Sequence, residues 1–188
     1  MEKVIFLDRD GVINYDSPDY VKNWDEFRFL PGSLEALAAL TAAGYTLILI
    51  TNQAGVGRGI IPAEVLDDMH RRLRQAVAEH GGRIFDIFHC PHHPDDNCGC
   101  RKPAPGMILR AAARHRIDAA GAVMIGDNAK DISCGQRAGC GATILVRTGN
   151  GAKAQEELAA QAIQPTAVAD DLMEAANMIL SGTVAVQS

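Results

Sequence analysis

The sequence predicts an α/β fold, a doubly wound and mostly parallel sheet with helices on both faces. The uninterrupted apolar run 4–7 and the largely apolar run 45–50 are typical of strands that are buried on both faces. These runs alternate along the chain with segments of helical periodicity, and no internal repeat interrupts the alternation. Strand–helix alternation of this kind is characteristic of a parallel sheet with crossover helices.

Length and composition fit one domain with one core. The chain has 188 residues, of which 47% are hydrophobic and 22% are charged. We expect a single domain over 1–181 and a flexible tail over 182–188. The net charge of −5 and the lack of a basic run argue against a nucleic-acid partner. Without a membrane-spanning apolar stretch, a signal-peptide pattern or an unused apolar helix face, a cytoplasmic monomer is expected.

Each predicted element has a local signal in the sequence. The first helix follows Pro31-Gly32-Ser33 and ends at Gly44, and the second follows Pro62. Apolar residues recur at helical spacing in both of these helices. Further helices are predicted after Pro105, around Asp131, over 155–162 and over 171–180. Strands are predicted at 4–7, 45–50, 83–88, 122–125, 142–146 and 166–169.

Two segments between these elements lack a sustained period. We interpret the aromatic-rich segment 14–30 as an ordered excursion, a small hairpin or flap, over the carboxyl edge of the sheet. The glycine-rich segment 55–59 lacks the spacing of a dinucleotide-binding fingerprint, and a flexible loop is expected there. His70 and His80 on the second helix have no partner pattern, so we expect both at the surface or its boundary.

Polar residues follow several of the predicted strands. They are Asp8 and Asp10 after the first strand, Thr51 after the second, Lys102 before a helix, and Asp127 with Asp131 after the fourth. Because ligands bind outside the carboxyl ends of parallel strands, we expect these side chains to converge on one site. An Asp-x-Asp-Gly segment alone is also common in ordinary turns, so the specificity comes from the whole set.

This set of side chains suits the hydrolysis of a phosphate monoester. Asp8 can accept the phosphoryl group, but a carboxylate approaches a dianion only when positive charge offsets the repulsion. Mg²⁺ held by Asp8 and Asp127 would supply most of that charge. Lys102 would add an ammonium, and Thr51 a hydroxyl donor, toward the transferring oxygens. Asp10 could protonate the leaving oxygen and later activate water against the aspartyl-phosphate.

Taken in order, these motifs resemble the four motifs of the haloacid dehalogenase-like phosphohydrolases. The matching segments are Asp8-x-Asp10-Gly11, Thr51-Asn52, Lys102-Pro103 and Gly126-Asp127 with Asp131. The resemblance covers about 1–150 and implies a Rossmann-like fold of haloacid dehalogenase type. It also implies Mg²⁺ bound by Asp8, the Asp10 carbonyl and Asp127, with Asp131 next to the ion or in indirect contact with it. The chain leaves no room for the large cap domain of many relatives.

Three of the five cysteines lie in one short segment that also contains histidine. The candidate ligands are Cys90, His92, Cys98 and Cys100, which match a closed Cys₃His zinc site of the structural kind. In a cytosolic chain such a cluster binds metal more often than it forms disulfides. His92 is preferred to His93 because Cys-x-His has the same reach as Cys-x-Cys. Zinc in this loop, 89–102, would fix Lys102 directly after the last ligand.

The segment around the zinc loop resembles two related groups of phosphatases, which act on a heptose bisphosphate or on histidinol phosphate. Segments 8–14, 51–53 and 101–107 are more similar to the first group, and the short loop 92–98 is similar to the second. The first resemblance implies removal of the 7-phosphate in the synthesis of lipopolysaccharide-core or S-layer precursors. Histidinol-phosphate phosphatase is the alternative.

The same resemblance implies the substrate-binding residues. Arg101 would recognise the substrate, while Asn52 and Gln53 would line its phosphate and sugar. Arg58 could bind a second phosphate or could be an ordinary solvated loop residue. Asn128 stands where heptose-bisphosphate phosphatases often carry a basic residue.

Two further classes of protein compete with the enzyme interpretation. Receiver-type signalling modules also combine aspartates, a threonine and a lysine. Asp10 argues against such a module, because a carboxylate that promotes hydrolysis of the phosphoaspartate opposes a stored signal. A zinc-stabilised binding module without activity is the other alternative, although every expected catalytic position is filled.

Overall fold

The computed structural model describes residues 3–184, and this part of the chain forms six strands, seven α-helices and three short 3-10 helices. The strands are β1 (Val4–Leu7), β2 (Thr46–Asn52), β3 (Ile84–Cys90), β4 (Ala122–Gly126), β5 (Ala142–Val146) and β6 (Ala167–Ala169). The helices are α1 (Ser33–Ala42), α2 (Ala54–Gly57), α3 (Ala63–Glu79), α4 (Gly106–His115), α5 (Ala129–Arg137), α6 (Gly151–Ala160) and α7 (Leu172–Leu180). Most of the predicted tail, 185–188, lies outside the described residues, whereas Val184 is buried.

The six strands form one parallel sheet in the order β3-β2-β1-β4-β5-β6. This confirms the predicted doubly wound parallel sheet. The strand order reverses at β1, whose two neighbours are β2 and β4. In open parallel sheets, the crevice at such a reversal is where ligands bind. The end of β1 therefore lies at the expected position of a site.

β1 forms the centre of the hydrophobic core. Its four side chains are almost completely buried, and they alternate between the two faces of the sheet. Ile5 and Leu7 belong to a cluster with the apolar faces of α1, α3 and α7, and Val4 and Phe6 belong to a second cluster with α4. Burying a large apolar side chain contributes about 1.5–3 kcal/mol, so β1 is a firm base for the turn that follows it.

Segment 14–30 is an ordered loop, as the sequence predicts. Asn14 forms an isolated antiparallel bridge with Phe29, which closes the base of the loop. The rings of Trp24 and Phe27 stack with their centroids 4.9 Å apart, and Phe29 packs edge-on against both rings. An aromatic cluster thus supplies the apolar contacts that hold this loop beside the carboxyl edge of the sheet.

The prediction of a flexible loop over 55–59 is wrong for its first half, because Ala54–Gly57 forms the short helix α2. The Gly57 N–H donates to the Pro91 carbonyl at 2.8 Å. A Cβ at Gly57 would lie 2.5 Å from that carbonyl oxygen. Glycine is needed here because α2 packs directly on the backbone of the cysteine-rich loop.

None of the described helices is both long enough and apolar enough to cross a membrane.

Candidate active site

A cavity of about 330 Å³ opens at the carboxyl edge of the sheet, beside the ends of β1, β2 and β4. It brings together the residues that the sequence predicts for catalysis, magnesium binding and substrate binding. The predicted residues that line it are Asp8, Asp10, Thr51, Asn52, Gln53, Arg101, Lys102, Asp127 and Asp131. A wider groove of about 670 Å³ adjoins the cavity and shares Asp16, Pro18 and Asn150 with it. Arg58 lines neither space and is exposed.

The Lys102 side chain is buried between two carboxylates. Its Nζ lies 2.8 Å from Asp8 Oδ2 and 2.6 Å from Asp131 Oδ1, and the side chain is only 2% exposed. Burial alone would lower the pKa of Lys102, but the charges of Asp131 and Asp8 outweigh burial and raise it. Lys102 is therefore a charged ammonium at neutral pH.

Two elements hold Lys102 and its partner Asp131. The Asn52 side chain at the end of β2 accepts a hydrogen bond from Lys102 N at 3.1 Å and donates one to Lys102 O at 3.2 Å. On the other side, Asp131 forms a capping box with Asn128 at the start of α5, accepting from Asn128 N at 2.9 Å. The helix cap thus fixes the carboxylate that Lys102 contacts.

Asp8, Asp127 and Asp131 form a compact acidic cluster with oxygens within 4.8 Å of one another. Burial, only partly offset by Lys102 and reinforced by the Asp131 charge, raises the pKa of Asp8 to about 7. Burial and the charges of Asp131 and Asp8 raise the pKa of Asp127 to about 8. Burial and the neighbouring carboxylates together outweigh the effect of the Lys102 charge on both groups, and clustered carboxylate oxygens are the ligands that Mg²⁺ prefers. The donor set therefore fits Mg²⁺.

The surroundings of Asp127 are shaped by close backbone approach. Asp127 Oδ2 accepts hydrogen bonds from Asn150 N at 2.8 Å and from Asn150 Nδ2 at 3.3 Å. A Cβ at Gly11 or at Gly149 would overlap the Asp127 carboxylate, and both glycines have positive φ, 79° and 56°. These glycines let the turn after β1 and the loop after β5 close around Asp127.

Asp10 is held by donors from three positions in the chain. Arg9 donates to it from Nη2 at 2.9 and 3.0 Å and from Nε at 3.2 Å, while Asn14 Nδ2 donates at 2.8 Å. Gln53 Nε2 donates to Asp10 at 2.9 Å and to Thr51 Oγ1 at the same distance. Burial would raise the pKa of Asp10, but the Arg9 charge and these hydrogen bonds lower it.

The predicted substrate-binding residues differ in how far they are already paired. The Asn52 and Gln53 side chains line the cavity, but both are hydrogen-bonded within the protein. The Arg101 Nη1 atom is buried and has no hydrogen-bond partner in the described part of the chain. A guanidinium N–H without a partner on the cavity wall is free to bind an anionic ligand.

The predicted zinc ligands converge in the loop after β3. Their thiol and imidazole atoms lie within 4.8 Å of one another, and the residues are Cys90, His92, Cys98 and Cys100. The three sulfurs are 3.3–3.5 Å apart, and His92 Nδ1 lies 3.2 Å from the Cys100 sulfur. A tetrahedral zinc site with bonds of about 2.0–2.3 Å places its ligand atoms roughly 3.5 Å apart. The arrangement fits Zn²⁺, and His93 instead caps the short helix 94–96.

Sequence reasoning missed several residues of this site, most notably Arg9, His70 and Asn150. Arg9 is 1% exposed and contacts His70 Nε2 through Nη1 at 3.3 Å. The expectation of a surface or boundary histidine is wrong for His70, which is 7% exposed, because Arg9 provides a buried polar partner. The available signal was the arginine between Asp8 and Asp10, since a charge in that turn must either reach solvent or find a partner.

Comparisons with known proteins identify related phosphatases. A family model described as HAD-hydrolase-like matches residues 99–175. The D-glycero-beta-D-manno-heptose-1,7-bisphosphate 7-phosphatase of Bordetella bronchiseptica is 46% identical over 95% of this chain and 98% of its own. The enzyme of the same name from Pseudomonas aeruginosa is 42% identical over 94% of this chain and 97% of its own.

Solved structures give the same result. The crystal structure of D,D-heptose 1,7-bisphosphate phosphatase from B. bronchiseptica, complexed with magnesium and phosphate, superposes with a TM-score of 0.89 at 46% identity, covering 95% of this chain and 98% of that chain. The Burkholderia thailandensis phosphatase of the same name gives a TM-score of 0.72 at 38% identity, covering 96% and 99%. The chain belongs to the HAD-like phosphatase family that includes these heptose-bisphosphate phosphatases.

Proposed function

We propose that the chain is a magnesium-dependent phosphatase that removes the 7-phosphate of D-glycero-beta-D-manno-heptose 1,7-bisphosphate. The observation that carries this proposal is the Lys102 ammonium, which contacts both Asp8 and Asp131 where β1 and β4 end. Fixed positive charge beside a buried carboxylate is what a phosphate dianion needs before that carboxylate can attack it. The names of the B. bronchiseptica and P. aeruginosa relatives support the choice of substrate.

In the first half of the reaction, Asp8 attacks phosphorus and forms an aspartyl-phosphate. Lys102 remains within reach of the transferring oxygens, because Asn52 and Asp131 hold it at the same edge of the sheet as Asp8. The Thr51 hydroxyl, which already accepts from Gln53, has its own hydrogen available for donation to the phosphoryl group. These donors stabilise the negative charge that is spread over the phosphoryl oxygens in the transition state.

Asp10 acts on protons in both halves of the reaction. As the ester bond breaks, its carboxyl group gives a proton to the sugar oxygen, which leaves as a neutral hydroxyl. In the second half the carboxylate takes a proton from the water that attacks the aspartyl-phosphate. The donors around Asp10 favour the ionised form for the second half, and a dianionic ester beside it favours the protonated form for the first.

Two metal ions complete the proposal. Asp8, Asp127 and the Asp10 carbonyl would hold Mg²⁺, with Asp131 beside them, and the bound ion supplies positive charge that neutralises the phosphoryl oxygens. Zn²⁺ would be held by the cluster of Cys90, His92, Cys98 and Cys100. That cluster ends two residues before Lys102, so zinc would act by stiffening the loop that carries the ammonium.

The unpaired Arg101 guanidinium supports a substrate with a second anionic group, as in a sugar bisphosphate. Histidinol phosphate, the alternative, is not favoured, because the relatives reported above are named for the heptose bisphosphate. A heptose substrate accords with the expected place in the synthesis of lipopolysaccharide precursors. The monomeric state and the cytoplasmic location stay predictions.

The substrate assignment is tested by comparing kcat/KM for heptose 1,7-bisphosphate and for histidinol phosphate under identical conditions. We expect a preference of at least about 100-fold for the bisphosphate, because the buried Nη1 of Arg101 stays unpaired beside a ligand without the second phosphate. Arg101→Met should reduce this preference while histidinol phosphate turnover changes little. A preference for histidinol phosphate would reject the substrate and leave the chemistry intact, whereas turnover of neither ester would reject the phosphatase function.

In the magnesium-free protein, the contribution of Asp8 and Asp127 to stability should fall as the pH rises from about 5 to 8. The folded pKa values of Asp8 and Asp127, about 7 and 8, lie above their ordinary value of 3.8, so the folded state binds more protons than the unfolded chain in this range. Lys102 stays charged throughout this pH range and therefore adds no pH dependence to the free energy of unfolding. Mg²⁺ should therefore stabilise the protein by about 1–3 kcal/mol more at pH 8 than at pH 5.5, because at the higher pH it need not displace protons.

This difference is measured by urea denaturation with and without millimolar Mg²⁺ at the two pH values. The matched control is Asp127→Asn, which removes one charge of the cluster and should reduce the magnesium effect at pH 8. A magnesium effect of equal size at both pH values would contradict the acidic site.

The zinc proposal is tested by metal analysis of the purified protein and of two cysteine variants. Wild-type protein should contain one zinc per chain. Cys98→Ser should lose the ion and about 10-fold or more in kcat, because the loop that carries Lys102 loosens. Cys140→Ser is the control, because Cys140 lies outside the cluster and should keep both zinc and activity. A Cys98→Ser protein with full zinc content, or wild-type protein active without zinc, would refute the proposal.

A further inference from the structure

Arg9 is a buried arginine in the wall of the active-site cavity. It is 1% exposed and lines the cavity together with its neighbours in the chain, Asp8 and Asp10. We infer that His70, a residue of α3 that does not line the cavity, is a positioning residue that holds the Arg9 guanidinium in place and thereby orients Asp10. This inference rests on the proposed phosphatase function, in which Asp10 transfers the protons.

The guanidinium contacts Asp10 and His70 with different nitrogens. Nη2 and Nε of Arg9 donate to the Asp10 carboxylate, a fork that fixes the plane of the carboxyl group as well as its position. Nη1 faces the other way and lies 3.3 Å from His70 Nε2. The histidine therefore determines how the guanidinium is rotated about its own axis, and the guanidinium determines how the carboxylate is turned.

The chemistry of the contact defines the state of His70. A guanidinium has only N–H donors, so Nε2 must be the acceptor and the ring proton must be on Nδ1. The ring is therefore neutral, and burial together with the Arg9 charge lowers the pKa of His70 to about 3. The centroid of the nearby His89 ring lies 5.7 Å from that of the His70 ring. His70 is thus a permanent acceptor across the working pH range.

Phe27 completes the surroundings of the guanidinium. The Arg9 Cζ lies 5.8 Å from the centroid of the buried Phe27 ring, at the range of a cation–π contact. Arg9 thereby joins the turn after β1 to the aromatic loop 14–30 and to α3. The Phe27 ring lies against the guanidinium and offers Nη1 no lone pair. Among the described residues, His70 is the hydrogen-bond acceptor that contacts Arg9 Nη1.

His70→Met, compared with His70→Gln, tests this inference. Methionine fills a similar volume without a comparable acceptor, whereas the glutamine carbonyl can still accept from Nη1. The leaving group is the discriminating readout, because a sugar alcohol needs a proton from Asp10 as it departs and p-nitrophenol does not. Release of the leaving group is measured in single turnover from the heptose bisphosphate and from p-nitrophenyl phosphate.

We expect His70→Met to slow release from the heptose bisphosphate about 10-fold or more and release from p-nitrophenyl phosphate less than about 3-fold, with KM nearly unchanged. His70→Gln should recover the sugar rate to within about 3-fold of wild type. His80→Met on the same helix is the control and should match wild type for both esters, because His80 is exposed. Equal slowing of both esters, no slowing, or no recovery in the glutamine variant would overturn the inference.

A measurement on the wild-type protein covers the case in which His70→Met does not fold. In ¹⁵N-labelled protein at pH 7, the nitrogen shifts of His70 should show a proton on Nδ1 and a free lone pair on Nε2. A proton on Nε2 would exclude the contact with Arg9 and overturn the inference. Wild-type protein that hydrolyses neither ester would instead reject the proposed phosphatase function, which keeps the two failures separate.

Discussion

The site depends on one buried ion triad, in which the Lys102 ammonium lies between the carboxylates of Asp8 and Asp131. Lys102 and Asp131 are almost completely buried, and buried charges are tolerated only when each has a well-placed partner. Removal of one partner of a buried ion pair typically costs about 3–5 kcal/mol. The clamp from Asn52 and the helix cap that binds Asp131 both serve this geometry. The cysteine-rich loop leads directly into Lys102, so the proposed zinc site has the same purpose.

The sequence predicts those parts of the structure that are determined by residues close together in the chain. The apolar runs define buried strands, and parallel topology then brings the strand ends to one edge, so Asp8, Thr51 and Asp127 meet without further information. The cysteine cluster is similarly local, because its four ligands lie within 90–100. The preference for His92 over His93 agrees with the geometry, in which His92 faces the sulfurs.

The parts that sequence reasoning missed depend on contacts between distant positions. Arg9 and His70 are 61 residues apart in the sequence. Neither the Asp-Arg-Asp segment nor the helical spacing of α3 indicates that this histidine faces the turn after β1. Asn150 reaches Asp127 from the loop after β5 through a backbone N–H, a donor that every residue type except proline carries. Gly57 looked like a flexible position, whereas it is required by close packing on Pro91. Such contacts are fixed by tertiary packing, which local patterns do not encode.

The central claim is that Asp8 carries the phosphoryl group during turnover, with Lys102 compensating its charge. Acid quench of the enzyme within its first turnover, followed by peptide mass mapping, tests this directly. The account predicts a hydroxylamine-labile phosphoryl group on the peptide that contains Asp8, and its loss in a folded Asp8→Asn protein without turnover. A phosphoryl group on another residue, or sustained turnover by Asp8→Asn, would contradict it.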